Sequence, residues 1–313
     1  MNSTASPTDR YLKVLEKHWG YTEFRGIQRD IIESIGAGRD TLGLMPTGGG
    51  KSITFQVPAM VLPGVCVVVT PLIALMKDQV AGLRKRHIRA AALHAGLGHE
   101  EILTILDNCV FGHYKFLYVS PERLSSEIFM AKFRHMEVSF VTIDEAHCIS
   151  QWGHDFRPAY LQIAELRKVK PDCPVLALTA TATPEVACDI QHVLRFRQEN
   201  VFRMSFYRPN LAYQVLWADF SLQSLRRVLE ADNGSCIIYR RSRQQCEDLS
   251  KVLNQWGFTS TFFHAGLSHP EKDKRQTLWV QDKVRIMVAT SAFGMGIDKA
   301  DVRLVVHLDI PDS

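Results

Sequence analysis

The feature that most constrains this chain is a repeat. The stretch "HAGLGHEE" begins at His94, and "HAGLSHPE" begins at His264, 170 positions later. The spacing persists on both sides. Upstream, "CVVVTPLIALMKDQVAGL" from Cys66 answers to "CIIYRRSRQQCEDLSKVL" from Cys236. Both open with a short apolar run, the pattern of a strand buried on both faces. Both continue into an amphipathic helix in which Leu83 and Leu253 hold the same place. Downstream, "KFLYVSP" at Lys115–Pro121 matches "RIMVATS" at Arg285–Ser291, and "FVTIDEAH" matches "LVVHLDIP", pairing Asp144 with Asp309 at a spacing of 165. Strand and helix alternating twice in one order imply an α/β fold of two tandem lobes with mainly parallel sheets. The boundary is placed between residues 1–207 and 208–313. Chance similarity of two generic strand–helix units is the alternative.

The 313 residues suffice for two cores, and the net charge of +4 permits a nucleic-acid partner without requiring one. The densest basic run is "LRKRHIR" at Leu83–Arg89, which by itself reads as a solvated helix end. Seven scattered cysteines without a Cys-x-x-Cys argue against a disulfide framework and against a zinc site. The opening "MNSTASPTDR" reads as an unstructured polar lead rather than a signal peptide. No apolar run approaches the roughly 18 residues of a membrane span. A reducing, cytoplasmic location is expected, nucleoid-associated if the source is bacterial, with no membrane contact and a monomeric chain.

Since the lobes repeat, function should lie where they differ. Only lobe one carries "DTLGLMPTGGGKS" at Asp40–Ser52; the equivalent "NLAYQVLWADFS" at Asn210–Ser221 has no glycine. Gly48, Gly49 and Gly50 let the backbone turn its N–H groups toward a polyanion. Lys51 sets a cation by the β and γ phosphates, and Ser52 can ligate Mg²⁺ at a helix N-terminus. Met45 stands where the usual pattern has its first glycine. The partner motif is "VSFVTIDEAH" at Val138–His147: Asp144 for the Mg²⁺ shell, Glu145 to orient or deprotonate the attacking water. An acidic pair at a strand end is otherwise a helix cap.

"DEAHCISQWGHDFRPAY" at Asp144–Tyr160 resembles the RecQ family of superfamily 2 DNA helicases. Further motifs carry the resemblance from residue 19 to residue 311: "WGYTEFRGIQ", "MPTGGGKS", "TPLIALMKDQV", "SPERL", "ALTATA", "YRRSR", "FHAGL" and "VATSAFGMGIDKADVR". The resemblance implies two RecA-like lobes and an ATP-dependent DNA helicase of 3′→5′ polarity, acting in recombination and repair on single strands and duplex junctions. It implies adenine contacts at Arg25 and Gln28, and hence ATP; Thr47 joins the glycine loop as a phosphate contact. Gln28 has the bland alternative of a helix-surface residue. Trp152, Phe156 and Arg157 fall in an aromatic-rich loop that couples DNA binding to hydrolysis, with His147 between phosphate and loop. Each ring alone can also be simple packing, and His147 a structural histidine. Thr70, Pro71, Ser120, Arg123 and Thr290 are the implied holds on a nucleic-acid backbone, at strand ends where α/β sheets bind ligands. Thr179–Thr181 links the nucleotide state to lobe movement, its hydroxyls reaching the acidic pair. His264 is a DNA contact or a structural residue, and His94 reads as structural. ATP between the lobes would draw both holds together.

Lobe two ends four residues after Asp309. It is expected to be incomplete at its C-terminus, without the Gln-x-x-Gly-Arg-x-Gly-Arg motif whose arginine reaches the γ-phosphate. Such an arginine is worth ~10³–10⁵ in rate, so this chain alone is expected to hydrolyse ATP weakly. A non-catalytic ATP- or DNA-binding fragment and an RNA-directed helicase are the competing readings.

Overall fold

A computed structural model describes residues 7–152, 155–217, 221–294 and 299–310. The first six residues of the polar lead, 153–154 of the aromatic-rich loop and 295–298 of the last motif lie outside them. The chain forms two compact units, Met1–Pro209 and Asn210–Ser313.

Unit 1 opens with helices α1 (Pro7–Trp19) and α2 (Gln28–Gly36), so the expected polar lead is helical from its seventh residue. Strand β1 (Thr41–Leu44), α3 (Lys51–Val61), β2 (Val65–Val69), α4 (Ile73–Lys85) and β3 (Ala90–Leu93) follow. The unit continues through α5 (His99–Val110), β4 (Phe116–Val119), α6 (Glu127–His135) and β5 (Val138–Ile143). It ends with α7 (Ile163–Val169), β6 (Val175–Thr179), α8 (Pro184–Val193) and β7 (Val201–Arg203). The strands form one parallel sheet in the order β3-β4-β2-β5-β6-β1-β7. Strands β2 and β4 inside it are continuous buried runs, apolar but for the Tyr118 hydroxyl, because both faces are covered. In β2, Val65, Val67 and Val69 enter the core beneath α5, α6 and α8, while Cys66 and Val68 enter the core beneath α2, α3 and α4.

Unit 2 runs α9 (Ser221–Ala231), β8 (Ser235–Tyr239), α10 (Arg243–Gln255), β9 (Ser260–Phe263), α11 (His269–Val280), β10 (Ile286–Ala289) and β11 (Val302–His307). Every bound from β8 to β10 stands 170 after its counterpart from β2 to β4. The sheet order β11-β8-β10-β9 repeats β5-β2-β4-β3, again parallel. Ordinary burial drives both copies: Cys236 and Ile238 pack on Leu249 and Leu253 of α10, as unit 1 does on its own helices.

The register corrects one pairing. Asp144 donates its N–H to the Val69 carbonyl at 2.9 Å, and the donor to the equivalent Tyr239 carbonyl is Leu308, at 3.3 Å. Leu308, not Asp309, therefore takes the place of Asp144, because the β10–β11 connection is shorter than the β4–β5 connection that carries α6. The Asp309 carboxylate turns to unit 2's own backbone and accepts from Arg241 N at 2.9 Å.

One buried cluster fixes the entry to β1. The Asp40 carboxylate accepts from Arg167 at 3.0 and 2.8 Å, from Val175 N at 3.0 Å, and from Arg197 at 3.0 and 3.2 Å. Burial raises the Asp40 pKa, but the Arg167 and Arg197 hydrogen bonds outweigh it and hold the carboxyl below its usual range. The glycine loop leaves the opposite end of the strand thus anchored.

Candidate active site

The loop from Met45 to Gly50 joins β1 to α3, and two of its glycines need their special freedom. Gly48 has φ 79° and Gly50 φ 76°, left-handed values that a side chain resists. A Cβ on Gly50 would lie 2.3 Å from the Gln28 amide nitrogen. Met45 replaces the first glycine of the usual pattern without harm, since it is fully buried among core residues and donates its N–H to the Thr179 carbonyl at 3.0 Å. Lys51 is the first residue of α3, so the helix N-terminus opens on the loop. Thr47 is exposed, and its carbonyl accepts from Arg208 at 3.4 Å.

Residues from the ends of β5 and β6 meet this loop. Lys51 Nζ lies 3.4 Å from Glu145 Oε1, and the other Glu145 oxygen lies 3.4 Å from His147 Nδ1. Glu145 sits in left-handed backbone, φ 49°, starting a one-turn 3₁₀ segment over Ala146–Ile149. His147 is buried and its Nδ1 stands 2.8 Å from Thr179 Oγ1. The expected bond from the Thr179 hydroxyl to the acidic pair is thus replaced by one through His147, which stands between them. Tyr160 completes the frame by donating its hydroxyl to the Asp144 carbonyl at 3.0 Å.

Asp144 and Ser52 fit a divalent cation. Burial pushes the Asp144 carboxyl up to about 6; Lys51 opposes the rise and the neighbouring Glu145 adds to it. A buried carboxylate at the end of β5 and a hydroxyl in the first turn of α3 are hard oxygen donors of the kind Mg²⁺ takes. All seven cysteines are free thiols. Among the described residues, His147, Cys148 and Asp155 offer ligand atoms within 4.8 Å of one another. Burial pushes the Cys148 thiol up to about 12, and it donates to Asp155 Oδ2 at 3.7 Å.

Beside the loop opens a cavity of about 340 Å³, lined by Tyr21, Arg25, Gln28, Gly50 and Ser52 among others. The Arg25 guanidinium lies over the Tyr21 ring at 5.4 Å. Gln28 lines this cavity and is also engaged by the loop. Its amide donates to the Gly49 and Gly50 carbonyls at 3.1 and 3.2 Å, and its oxygen accepts from Arg25 N at 2.9 Å. A buried amide must satisfy its own polar groups, and Gln28 does so on the glycine loop. The sequence reading missed Tyr21, although it lies inside the quoted "WGYTEFRGIQ" element.

The nucleic-acid candidates divide. Trp152 is 82% exposed, Phe156 is half-buried, and the Arg157 guanidinium is held by Asp155 at 3.2 Å. Thr70 and Ser120 end the adjacent strands β2 and β4, followed by Pro71 and Pro121. Both hydroxyls are buried without a hydrogen-bond partner. Arg123 donates to the His94 carbonyl at 3.3 and 3.1 Å, which makes it a brace for that turn. Thr290 caps β10, donating its N–H to Phe263 O at 3.2 Å. His264 is turned inward: it is buried, stacked on Phe262, and 3.1 Å from Glu247. His94 is likewise buried, its Nδ1 2.6 Å from the Ala95 carbonyl oxygen. No helix among the described residues is long and apolar enough to cross a membrane.

The family model described as DEAD/DEAH box helicase matches residues 25–190, and the helicase conserved C-terminal domain matches residues 221–313. The chain is 41% identical over 303 residues to the ATP-dependent DNA helicase RecQ of Pasteurella multocida (strain Pm70), covering 96% of this chain and 48% of that protein. It is 39% identical over 306 residues to the probable ATP-dependent DNA helicase RecS of Bacillus subtilis (strain 168), covering 96% of this chain and 61% of that one. It thus spans about half the length of these curated relatives. The solved structure of Mycobacterium smegmatis helicase Lhr bound to ssDNA and AMP-PNP matches with a TM-score of 0.68 at 19% identity, over 97% of this chain and 43% of that one. That likeness is one of fold, two RecA-like lobes. The chain belongs to the DEAD/DEAH box helicases and, among them, to the RecQ family.

Proposed function

We propose that this chain is the motor part of an ATP-dependent DNA helicase that moves 3′→5′ along one strand and opens duplexes in recombination and repair. One observation carries the reading: Lys51, Glu145, His147 and Thr179 form a continuous line of polar contacts at 3.4, 3.4 and 2.8 Å, joining the glycine loop to the ends of β5 and β6. The relatives' names as ATP-dependent DNA helicases and the ssDNA held by the Lhr structure support the choice of DNA.

The chemistry follows from these residues. Phosphate oxygens accept N–H groups from the glycine loop and the start of α3. Lys51 exchanges its Glu145 partner for the phosphates, which frees that carboxylate to orient water and accept its proton. His147 keeps Glu145 aimed. The adenine lodges in the cavity by Tyr21 and Arg25. Mg²⁺, when bound by Ser52 and Asp144, neutralises charge on the phosphates. Trp152 stands five residues after His147, where its exposed face can take an unstacked base, so a base on the ring bears on the segment that holds Glu145 and His147.

The Gln-x-x-Gly-Arg-x-Gly-Arg motif that the family resemblance implies is not among these 313 residues. A monomer in the cytoplasm or on the nucleoid is the working arrangement. The test is single-turnover ATP hydrolysis with matched single strands of DNA and RNA, alongside strand displacement by a longer version that includes the motif. Stimulation by DNA over RNA is expected. Equal stimulation by RNA, or none by either in the longer version, contradicts the reading.

A further inference from the structure

The repeat supplies an internal comparison. In unit 2, α10, β9 and α11 enclose a stack of side chains. The Arg275 guanidinium lies 3.9 Å from the Phe262 ring centroid. It donates to Glu271 at 3.1 Å and to the Thr261 hydroxyl at 2.9 Å. The His264 ring stacks on the same phenyl ring with centroids 5.6 Å apart and Nε2 near Glu247. Unit 1 has the same three elements, α4, β3 and α5, but not the plug. At the positions 170 earlier stand Ala92 for Phe262, Ile105 for Arg275 and Lys77 for Glu247. A groove of about 650 Å³ opens there, its walls including Val80, Leu97 and Ile105 and its rim Lys77, Arg84 and Lys85.

We propose that this groove docks a peptide segment of a partner protein, one aromatic side chain inserting beside Ala92 and acidic neighbours meeting the basic rim. Shape supports this: unit 2 accommodates a phenyl ring between these same elements when its own strand carries one. Charge supports it independently. Three cations face the single carboxylate of Glu101, and Lys77 inverts the charge that Glu247 supplies in the filled copy. A partner must bring the missing carboxylates along with the ring. Two rim cations come from the run Leu83–Arg89, which the sequence alone gave no task. The apolar walls favour a phenyl group over a nucleobase, whose polar edge they leave unpaired. The site is separate from the nucleotide-binding residues and does not rest on the helicase reading.

The test uses the intact chain and a fluorescein-labelled peptide, Asp-Glu-Phe-Asp-Asp, read by anisotropy beside its Phe→Ala version. Burying one phenyl ring is worth on the order of 10- to 100-fold in affinity, so the Phe peptide is expected to bind that much more tightly. The double variant Ala92→Phe/Ile105→Arg, which copies the plug, and Lys77→Glu at the exposed rim are each expected to weaken it at least ~10-fold. Both should bind Mg²⁺-ATP like the parent, which also reports that they fold. Equal binding of the two peptides, or full binding by Lys77→Glu, overturns the proposal. So does an oligothymidylate that binds the parent and not the plugged variant while the peptide binds neither, which would assign the groove to nucleic acid.

Discussion

Glu145 is the residue on which the chemistry turns, held between Lys51 and His147 by backbone of φ 49°. Glu145→Gln keeps the volume and removes the base. Its hydrolysis step is expected to slow on the order of 10²–10⁴-fold while nucleotide binding persists, which rapid-quench single-turnover assays will separate. Trp152→Ala should leave basal hydrolysis and thermal stability unchanged, because the ring is 82% exposed, and should abolish stimulation by single-stranded DNA. Stimulation that survives the substitution removes the ring from coupling. At this scale the sequence disclosed identities better than partners. The glycines, Lys51 and Asp144-Glu145 could be named from spacing alone. The inward turn of His264 could not, because Glu247 reaches it only through the packing of α10 on β9. Nor could the engagement of Gln28 with the Gly49 and Gly50 carbonyls, which depends on how α2 packs against the loop.

Among the elements, the β2–β4 and β8–β10 blocks were legible because burial on both faces leaves apolar runs of fixed length and the repeat fixes their order. Two features escaped. The stretch Leu211–Trp217 is apolar but for Gln214, as a buried strand would be, yet forms no strand, and Tyr213, Val215 and Trp217 are exposed. The Asp40 cluster draws on Arg167 and Arg197, too distant in sequence for any local pattern to show. Asp40→Asn leaves the buried Arg167 charge unpaired and is expected to cost about 3–5 kcal/mol, measurable by urea unfolding at pH 7. The sign of the pH effect follows from the depressed carboxyl. Its folded value lies below the unfolded one of about 3.9, so its contribution is present above roughly pH 4 and fades as pH falls through the folded value. The parent should therefore lose stability in that acid window, and the variant should not lose this component. Parallel pH profiles for the two would show that the cluster does not hold β1.

As a whole, the molecule is one α/β unit written twice and equipped once. Both copies share strand order, but only Met1–Pro209 carries the glycine loop, the acidic pair and the cavity beside them. Duplication was readable from the 170-residue period, and so was the asymmetry, because a missing glycine run is visible without coordinates. The most direct measurement is calorimetric titration of the intact chain with a non-hydrolysable ATP analogue, with and without Mg²⁺, repeated for Lys51→Ala. One site per chain is expected, dependent on Mg²⁺ and weakened on the order of tenfold or more by the substitution. Two sites per chain, or a single site indifferent to Lys51, would contradict a nucleotide centre built from the glycine loop of the first unit.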